Sequence, residues 1–380
     1  MIERLQIKQI QDMLFKQKVV IIYGARQIGK TSISKQVLDM YSRQGLNTKY
    51  FNCELSEIQE ILDTRSIAKL KNLVGIYDLV VFDEAQKIPK VGEILKILID
   101  NLPETQVIAT GSSSFELQHL TGEPLVGRSR EILMQPISCL EIIKWKDVNF
   151  LRENIFNFVQ FGLLPGVINY TDISDKLKEL DQITNAYLYK DILKLEEIRK
   201  PAILEKLVKL LAHQVGSETS SNGIANVLQT SPVTIDKYLD ILQKAFIIHK
   251  LKPFTKNLQS EIKNKPKYYF YDTGVLNTLL ENQDLNRSDK YLGGVWENFV
   301  IMEKIKLSNI NQSRDQFYFW RNKGGAELDL VVKNSAGLTA FEIKYNPKNA
   351  SKLPLSFNES YQPDSYKIIN PVNFWEEMIT

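Results

Sequence analysis

The sequence predicts an α/β protein of more than one domain, with a parallel sheet at its N-terminal end. Three observations carry that expectation. Lys18 to Tyr23 (Lys-Val-Val-Ile-Ile-Tyr) is a short continuous apolar run, followed by a glycine-bearing loop from Gly24 to Lys30 that opens a helix at Thr31. Short apolar strands recur at Lys49 to Asn52, Leu79 to Phe82 and Gln106 to Thr110, with helical stretches between them. Such alternation builds a parallel sheet, here up to about residue 145. Finally, 380 residues exceed one ordinary core and point to two or three domains.

The hydrophobic fraction of 43% and the charged fraction of 24% describe an ordered globular chain without the polarity of a disordered one. A net charge of +3 is too small to announce a nucleic-acid partner, so only a local patch could do so. The two cysteines, Cys53 and Cys139, match neither a zinc spacing nor a disulfide framework, which fits a reducing cytoplasm. Met1-Ile2-Glu3-Arg4 lacks the apolar run of a signal peptide, and no segment approaches a membrane-spanning length. His119, His213 and His249 are scattered and read as structural.

Beyond the sheet, Asn154 to Leu211 turns helical, with Ile183, Tyr187, Leu188, Ile192 and Leu195 at spacings that suit one helix face. Residues 217 to 275 read as two short helices and two strands: Gly223 to Leu228, Pro232 to Gln243, Phe246 to Leu251 and Lys267 to Tyr271. That order suits a helix-turn-helix with a β-wing. Ser231 is placed to cap the second helix, with Pro232 in its first turn and Ile235, Leu239 and Leu242 on one face. A helix then runs through Trp296 to Lys306, followed by strands at Gln316 to Arg321, Ala326 to Lys333 and Leu338 to Tyr345.

The chemistry is plainest in Gly24-Ala25-Arg26-Gln27-Ile28-Gly29-Lys30-Thr31, followed by Ser32. A phosphate tail needs several amide N–H groups pointing inward, which a Gly-bearing loop at a helix N-terminus presents without clash. Lys30 would reach the β- and γ-phosphates of ATP, and the Thr31 hydroxyl would ligate Mg²⁺. In Tyr77-Asp78-Leu79-Val80-Val81-Phe82-Asp83-Glu84, a central strand ends with Asp83 beside the metal and Glu84 placed to polarise the attacking water. Thr110-Gly111-Ser112-Ser113 ends the next strand, where the Ser112 hydroxyl could orient that water or sense the γ-phosphate; a plain polar turn is the alternative.

A second constellation lies near the C-terminus. Positions two apart on a strand share a face, so Glu342 and Lys344 project together and Asp329 on the preceding hairpin arm can join them. A carboxylate pair suits a divalent metal, while the same residues also suit a cross-strand salt bridge on a solvated face. Lys250, Lys252, Lys256, Lys263, Lys265 and Lys267 stand against the single acid Glu261, with Phe254, Tyr268 and Tyr269 nearby. That patch suits a phosphate backbone, or is a solvated lysine-rich loop. Asp236 and Asp240 on the second helix argue against base reading in a major groove.

The order of the P-loop, Asp83-Glu84-Ala85-Gln86, Thr110-Gly111-Ser112-Ser113 and Gly127-Arg128 resembles the AAA+ ATPases of the AAA_14 type that carry a C-terminal domain of unknown function, DUF4143. The resemblance spans nearly the whole chain. It implies an arginine finger or sensor at Arg128, with Arg130 as neighbour, acting across subunits of a homo-oligomeric ring such as a hexamer. Asp329, Glu342 and Lys344, with Glu297 on the preceding helix, resemble the restriction-endonuclease-like PD-(D/E)xK core, of which archaeal Holliday junction resolvases are members. Leu328 stands where that signature carries its leading proline.

The expected organisation is therefore a P-loop AAA+ parallel-sheet domain over 1–153, a helical lid or linker over 154–211, a winged-helix domain over 212–275 and a restriction-endonuclease-like α/β domain over 276–380. The expected activity is ATP hydrolysis with Mg²⁺ by a cytoplasmic protein acting on DNA, branched DNA such as Holliday junctions included. The alternative is a nucleotide-controlled scaffold for a protein partner.

Overall fold

The computed structural model describes residues 2–111, 125–186, 198, 200–255, 265–281, 289–349 and 351–379, with the backbone alone at 289–291. They fall into two compact units. One comprises Glu3–Gln135 with Lys244–Phe246, and the other Pro136–Gln243 with Ile247–Thr380 and Met1–Ile2.

The first unit is built on a parallel sheet. Its strands are β1 (Val19–Tyr23), β2 (Thr48–Asn52), β3 (Leu79–Asp83), β4 (Gln106–Gly111) and β5 (Ser129–Leu133), in the order β2-β3-β4-β1-β5. Every neighbouring pair is parallel. β3 and β4 are buried along their whole length and β1 from Val19 to Ile22, because helices cover both faces of a parallel sheet. The edge strands β2 and β5 keep exposed and half-buried positions, and β5 carries no apolar run that marks it in the sequence. Helix α1 (Gln6–Met13) buries Ile7 and Ile10, and α2 (Lys30–Arg43) buries Ile33, Val37 and Leu38. Just before α1, the Arg4 guanidinium donates to Ile28 O (2.8 Å) and Gln135 O (2.6 Å), tying the chain start to the loop before α2 and to the segment after β5.

The second unit begins with helices, each with a legible start. Ser138 and Glu141 form a reciprocal capping box on Cys139–Trp145. The Asp147 carboxylate accepts from the N–H of Phe150 to cap Val148–Phe161, and Asp172 accepts from Ser174 and Asp175 to cap Ile173–Asn185. The Cys139 N–H donates to Glu303 Oε2 (2.7 Å), and the Lys306 ammonium bonds Glu303 Oε1 (2.6 Å) and Ile137 O (3.1 Å). Glu303 and Lys306, both buried, thereby fix the 137–139 segment to the long helix Asp289–Ile310. Ile183 lies on the buried side of Ile173–Asn185, whereas Tyr187, Leu188, Ile192 and Leu195 lie outside the described residues.

Helices Pro201–His213, Ser221–Val227 and Pro232–Lys244 follow, and the Thr234 N–H donates to Ser231 Oγ (3.1 Å). Strands β6 (Ile248–Pro253) and β7 (Lys267–Phe270) form an antiparallel pair. β6 also runs parallel to β8 (Gln316–Arg321), and a six-stranded sheet results with β9 (Glu327–Asn334), β10 (Gly337–Ile343) and β11 (Ser365–Ile369), in the order β11-β10-β9-β8-β6-β7. β8, β9 and β10 pair antiparallel, and β11 joins β10 in parallel. Helix Leu355–Tyr361 lays Phe357 against Trp320, ring centres 5.0 Å apart, while Trp296 of the long helix meets Phe374 at 5.3 Å. Among the described residues no helix is long and apolar enough to cross a membrane.

Burial lowers the pKa of His249 on β6 from 6.5 to about 4. Between those values the unfolded chain binds the extra proton, so stability falls as pH drops through that window, by up to about 3 kcal/mol. Between pH 7 and 4 the thermal melting temperature of the parent should fall more steeply than that of His249→Gln, and parallel curves would show that His249 does not contribute.

Candidate nucleotide site and C-terminal acidic centre

The loop between β1 and α2 is shaped by two glycines. Gly24 has φ +143°, and a Cβ there would lie 2.2 Å from Met134 O, so no other residue fits. Gly29, at φ +93°, turns the chain into α2. Gln27 also adopts positive φ, while Arg26 and Gln27 are exposed and Ala25 and Ile28 buried. Lys30, only 5% exposed, is held over the loop by Gly24 O (3.1 Å) and Ala25 O (2.8 Å). Thr31 and the exposed Ser32 open the first turn of α2, where free N–H groups favour an anion.

Asp83 ends β3 and is 4% exposed. Its Oδ2 accepts from the hydroxyls of Thr31 (2.8 Å) and Tyr50 (2.6 Å), and its Oδ1 accepts from Thr110 (2.6 Å). Three hydroxyls from β2, β4 and α2 thus fix one carboxylate. Glu84 follows in left-handed conformation (φ 53°), its N–H donating to Thr110 Oγ1 (2.9 Å) and its Oε2 accepting from Gln86 Nε2 (2.5 Å). The glycine cradle, the lysine and this oriented carboxylate–hydroxyl pair fit a Mg²⁺–triphosphate.

Tyr50 and Gln86 are contributions that the sequence reading missed. Tyr50 is a common residue on a short edge strand, and only the β2–β3 pairing brings its hydroxyl to Asp83. Burial first, then the hydrogen bond to Asp83, raises its pKa. Burial, with the charges of Asp83 and Glu84 adding to it, pushes the neighbouring Cys53 thiol up to about 12. Ser112 lies outside the described residues.

Arg128 precedes β5, and its carbonyl accepts from the N–H of Val19 (2.9 Å) at the start of β1. Since β1 and β5 are parallel, Arg128 stands at the end of the sheet opposite the P-loop, roughly 16 Å away along the strand. There it pairs with Asp100 at 2.7 Å.

In the second unit, the register Phe341↔Leu330 places Glu342 opposite Asp329 one step further along the ladder. Asp329 Oδ2 accepts from the Ile343 N–H (2.7 Å), and Lys344 pairs with Glu342 at 2.5 Å. Glu297 faces the same centre and accepts from the Tyr269 hydroxyl (2.6 Å). Burial, opposed by Lys267 and reinforced by Asp329, raises Glu297 to about 7. Burial likewise raises Asp329 and Glu342, reinforced by the charge of Glu327 at the first and of Asp329 at the second. Among the described residues no group of three or more His, Cys, Asp or Glu side chains is disposed to hold a metal ion.

Lys267 changes the reading of the basic patch. It is 2% exposed, with its ammonium 3.4 Å from Glu297 and in contact with Glu327. Tyr268 and Tyr269 are also buried, so none of the three faces a nucleic acid. Phe254 packs with Tyr318, Phe357 and Tyr361. Lys250, Lys252 and Lys265 are exposed, whereas Lys256, Glu261 and Lys263 lie outside the described residues.

If Tyr50 orients Asp83, Tyr50→Phe should weaken Mg²⁺–ATP binding about tenfold, in keeping with loss of one hydrogen bond to a carboxylate, and leave metal-free ATP binding unchanged. Calorimetric titration with Mg²⁺ and with EDTA separates the two, and equal losses would reduce Tyr50 to a structural role.

Comparison with known proteins places three domain models on the chain: an AAA domain over residues 16–143, a domain of unknown function (DUF8612) over 152–286, and a domain of unknown function (DUF4143) over 292–373. An uncharacterized protein of Mycobacterium tuberculosis is 30% identical over 336 residues, covering 87% of this chain and 71% of that protein, and a Mycobacterium bovis protein matches equally. An uncharacterized Haemophilus influenzae protein is 27% identical over 98% of this chain and 92% of its own length. Among solved structures, replication initiator DnaA bound to AMPPCP and single-stranded DNA aligns with 62% of this chain and 86% of its own at 19% identity, with a TM-score of 0.30. Domain III of the Thermotoga maritima DnaA aligns with 47% of this chain and 89% of its own at 15% identity, with a TM-score of 0.34. The chain belongs to the family of the mycobacterial proteins, and within it carries an AAA domain followed by two domains of unknown function.

Proposed function

We propose that this chain hydrolyses ATP in an AAA+ domain and uses the cycle to act on DNA, branched DNA such as Holliday junctions included. The observation that carries the ATPase reading is the Asp83 carboxylate, fixed by Thr31, Tyr50 and Thr110 beside Glu84. Mg²⁺ held by Thr31 and Asp83 would supply charge neutralisation at the β- and γ-phosphates. Gly24 to Thr31 bind the phosphate tail, with Ser32 in the same helical turn. Lys30 offsets the charge developing on the γ-phosphate, and Glu84, released from Gln86, accepts the proton of the attacking water.

The domain assignment we favour is the ATPase over 1–153, running past the compact unit that ends at Gln135, the lid over 154–211, a winged helix over 212–275 and a nuclease-like DNA-binding domain over 276–380, the last two sharing one sheet through the β6–β8 pairing. The exposed Lys250, Lys252 and Lys265 support contact with a phosphate backbone. A second reading, a nucleotide-controlled scaffold that binds a protein, is favoured by the exposed Asp236 and Asp240 on helix Pro232–Lys244. A soluble cytoplasmic homo-oligomer, as a ring or hexamer, fits either reading.

Glu84→Gln should keep ATP affinity and lose turnover by at least about a hundredfold, whereas Lys30→Ala should lose affinity. Parental turnover should rise with duplex, single-stranded or four-way-junction DNA. An unchanged rate in Glu84→Gln would remove the water-activating role, and indifference to every DNA would favour the scaffold.

Because Arg128 lies at the far end of its own sheet, any action on a γ-phosphate must be on a neighbouring subunit's site. Arg128→Ala and Lys30→Ala chains, each inactive alone, should recover part of the activity when mixed. Co-assembled mixtures that stay inactive would exclude that role.

A further inference from the structure

The C-terminal centre gathers Glu297, Glu327, Asp329 and Glu342, four carboxylates against two ammonium groups, with the half-exposed Arg321 guanidinium 3.9 Å from Glu327 at the rim. Lys344 is spoken for by Glu342 at 2.5 Å. The other ammonium comes from outside the β9–β10 hairpin. Lys267 stands on β7, opposite Leu251 of β6, and the carbonyl of the preceding Pro266 accepts from Thr219 N (2.8 Å). Its side chain is 2% exposed, lies over the Phe319 ring at 5.2 Å and reaches Glu297 and Glu327. Burial alone would lower the Lys267 pKa, yet the charges of Glu297, Glu327 and Asp329 overcome it and hold the group above its ordinary value. Gly216, at φ +76°, roofs Glu297 from the other side, where a Cβ would meet Glu297 Oε2 at 3.0 Å.

We propose that the Lys267 ammonium is the resident cation of this centre, standing where a divalent metal would otherwise be held, so that the parental domain excludes the metal and does not cut DNA. The inference rests on the nuclease-like reading of the domain and specifies its state. A divalent cation entering among Glu297, Glu327 and Asp329 would meet a fixed positive charge a few ångströms away, where little water screens the repulsion. The strand and the aromatic ring hold Lys267 in place, so the exclusion is built into the fold. Lys267→Met keeps the length and apolar stem of the side chain and removes the charge. The centre then holds four carboxylates against the Lys344 ammonium and the rim guanidinium of Arg321, an imbalance that a divalent cation relieves.

The test is Mn²⁺ titration by electron paramagnetic resonance on the full chain without nucleotide, in an Asp83→Asn background that silences the P-loop. The parental centre should bind no Mn²⁺ that depends on Asp329. Lys267→Met should gain at least about tenfold in Mn²⁺ affinity, and adding Asp329→Asn should abolish the gain. Lys267→Arg, which keeps the charge, should gain nothing. An Asp329-dependent Mn²⁺ site in the parent overturns the proposal without any Lys267 variant, and would itself favour a metal-dependent nuclease. A folded Lys267→Met chain with no new site also overturns it. If Lys267→Met takes up Mn²⁺ yet nicks no linear or branched DNA, Lys267 remains the resident cation and the cleavage chemistry falls. ATP turnover in the Asp83-intact chain reports separately on the ATPase.

Discussion

The orientation of one carboxylate organises the N-terminal unit. Asp83 emerges from a strand buried along its whole length, and its two oxygens are shared among hydroxyls on β2, β4 and α2. A carboxylate at 4% exposure is costly unless its oxygens are hydrogen-bonded, and three hydroxyl donors meet both of them. Through the Thr31 hydroxyl the carboxylate faces the start of α2. Strand order, loop glycines and edge-strand chemistry all serve that placement: β3 lies between β2 and β4, so Tyr50 and Thr110 flank Asp83, and Gly29 brings Thr31 down onto it.

The second acidic centre reaches the opposite solution. Its carboxylates are met by ammonium groups of the chain itself, Lys267 on β7 and Lys344 just beyond β10. Hydroxyl donors leave a carboxylate free to take up a cation, whereas a buried ammonium satisfies the demand internally. Fold position produces the contrast. The Asp83 site opens beside a loop and a helix N-terminus, while in the C-terminal centre Glu297 is covered by Gly216 and met by Lys267 from β7.

Buried charge is also structural here. Glu303 and Lys306, one helical turn apart, bond each other and the Ile137–Cys139 backbone, so neither charge is left unsatisfied. Asp272 caps Thr273–Leu279 and accepts from the Leu163 N–H, joining helix and loop through one carboxylate. Breaking either arrangement leaves an unpaired buried charge, which costs more than the interaction contributes when intact.

The sequence alone determined the P-loop, the Asp83–Glu84 strand end and the central strands β1, β3 and β4, because phosphate binding and a doubly covered parallel sheet each demand a local pattern. The helix caps at Ser231 and the strands around Asp329 and Glu342 were legible for the same reason: cap, turn and alternation act over a few residues. Strands β5 and β11 were not, since edge strands with polar positions carry no continuous apolar signal. Tyr50 and Lys267 were beyond reach altogether. Tyr50 joins Asp83 only through pairing between strands separated by two helices, and Lys267 looks like one of a run of surface lysines until β7 is laid in the sheet. Tertiary structure decided these because burial and charge pairing are properties of the assembled sheet, whereas a motif is a property of neighbouring residues.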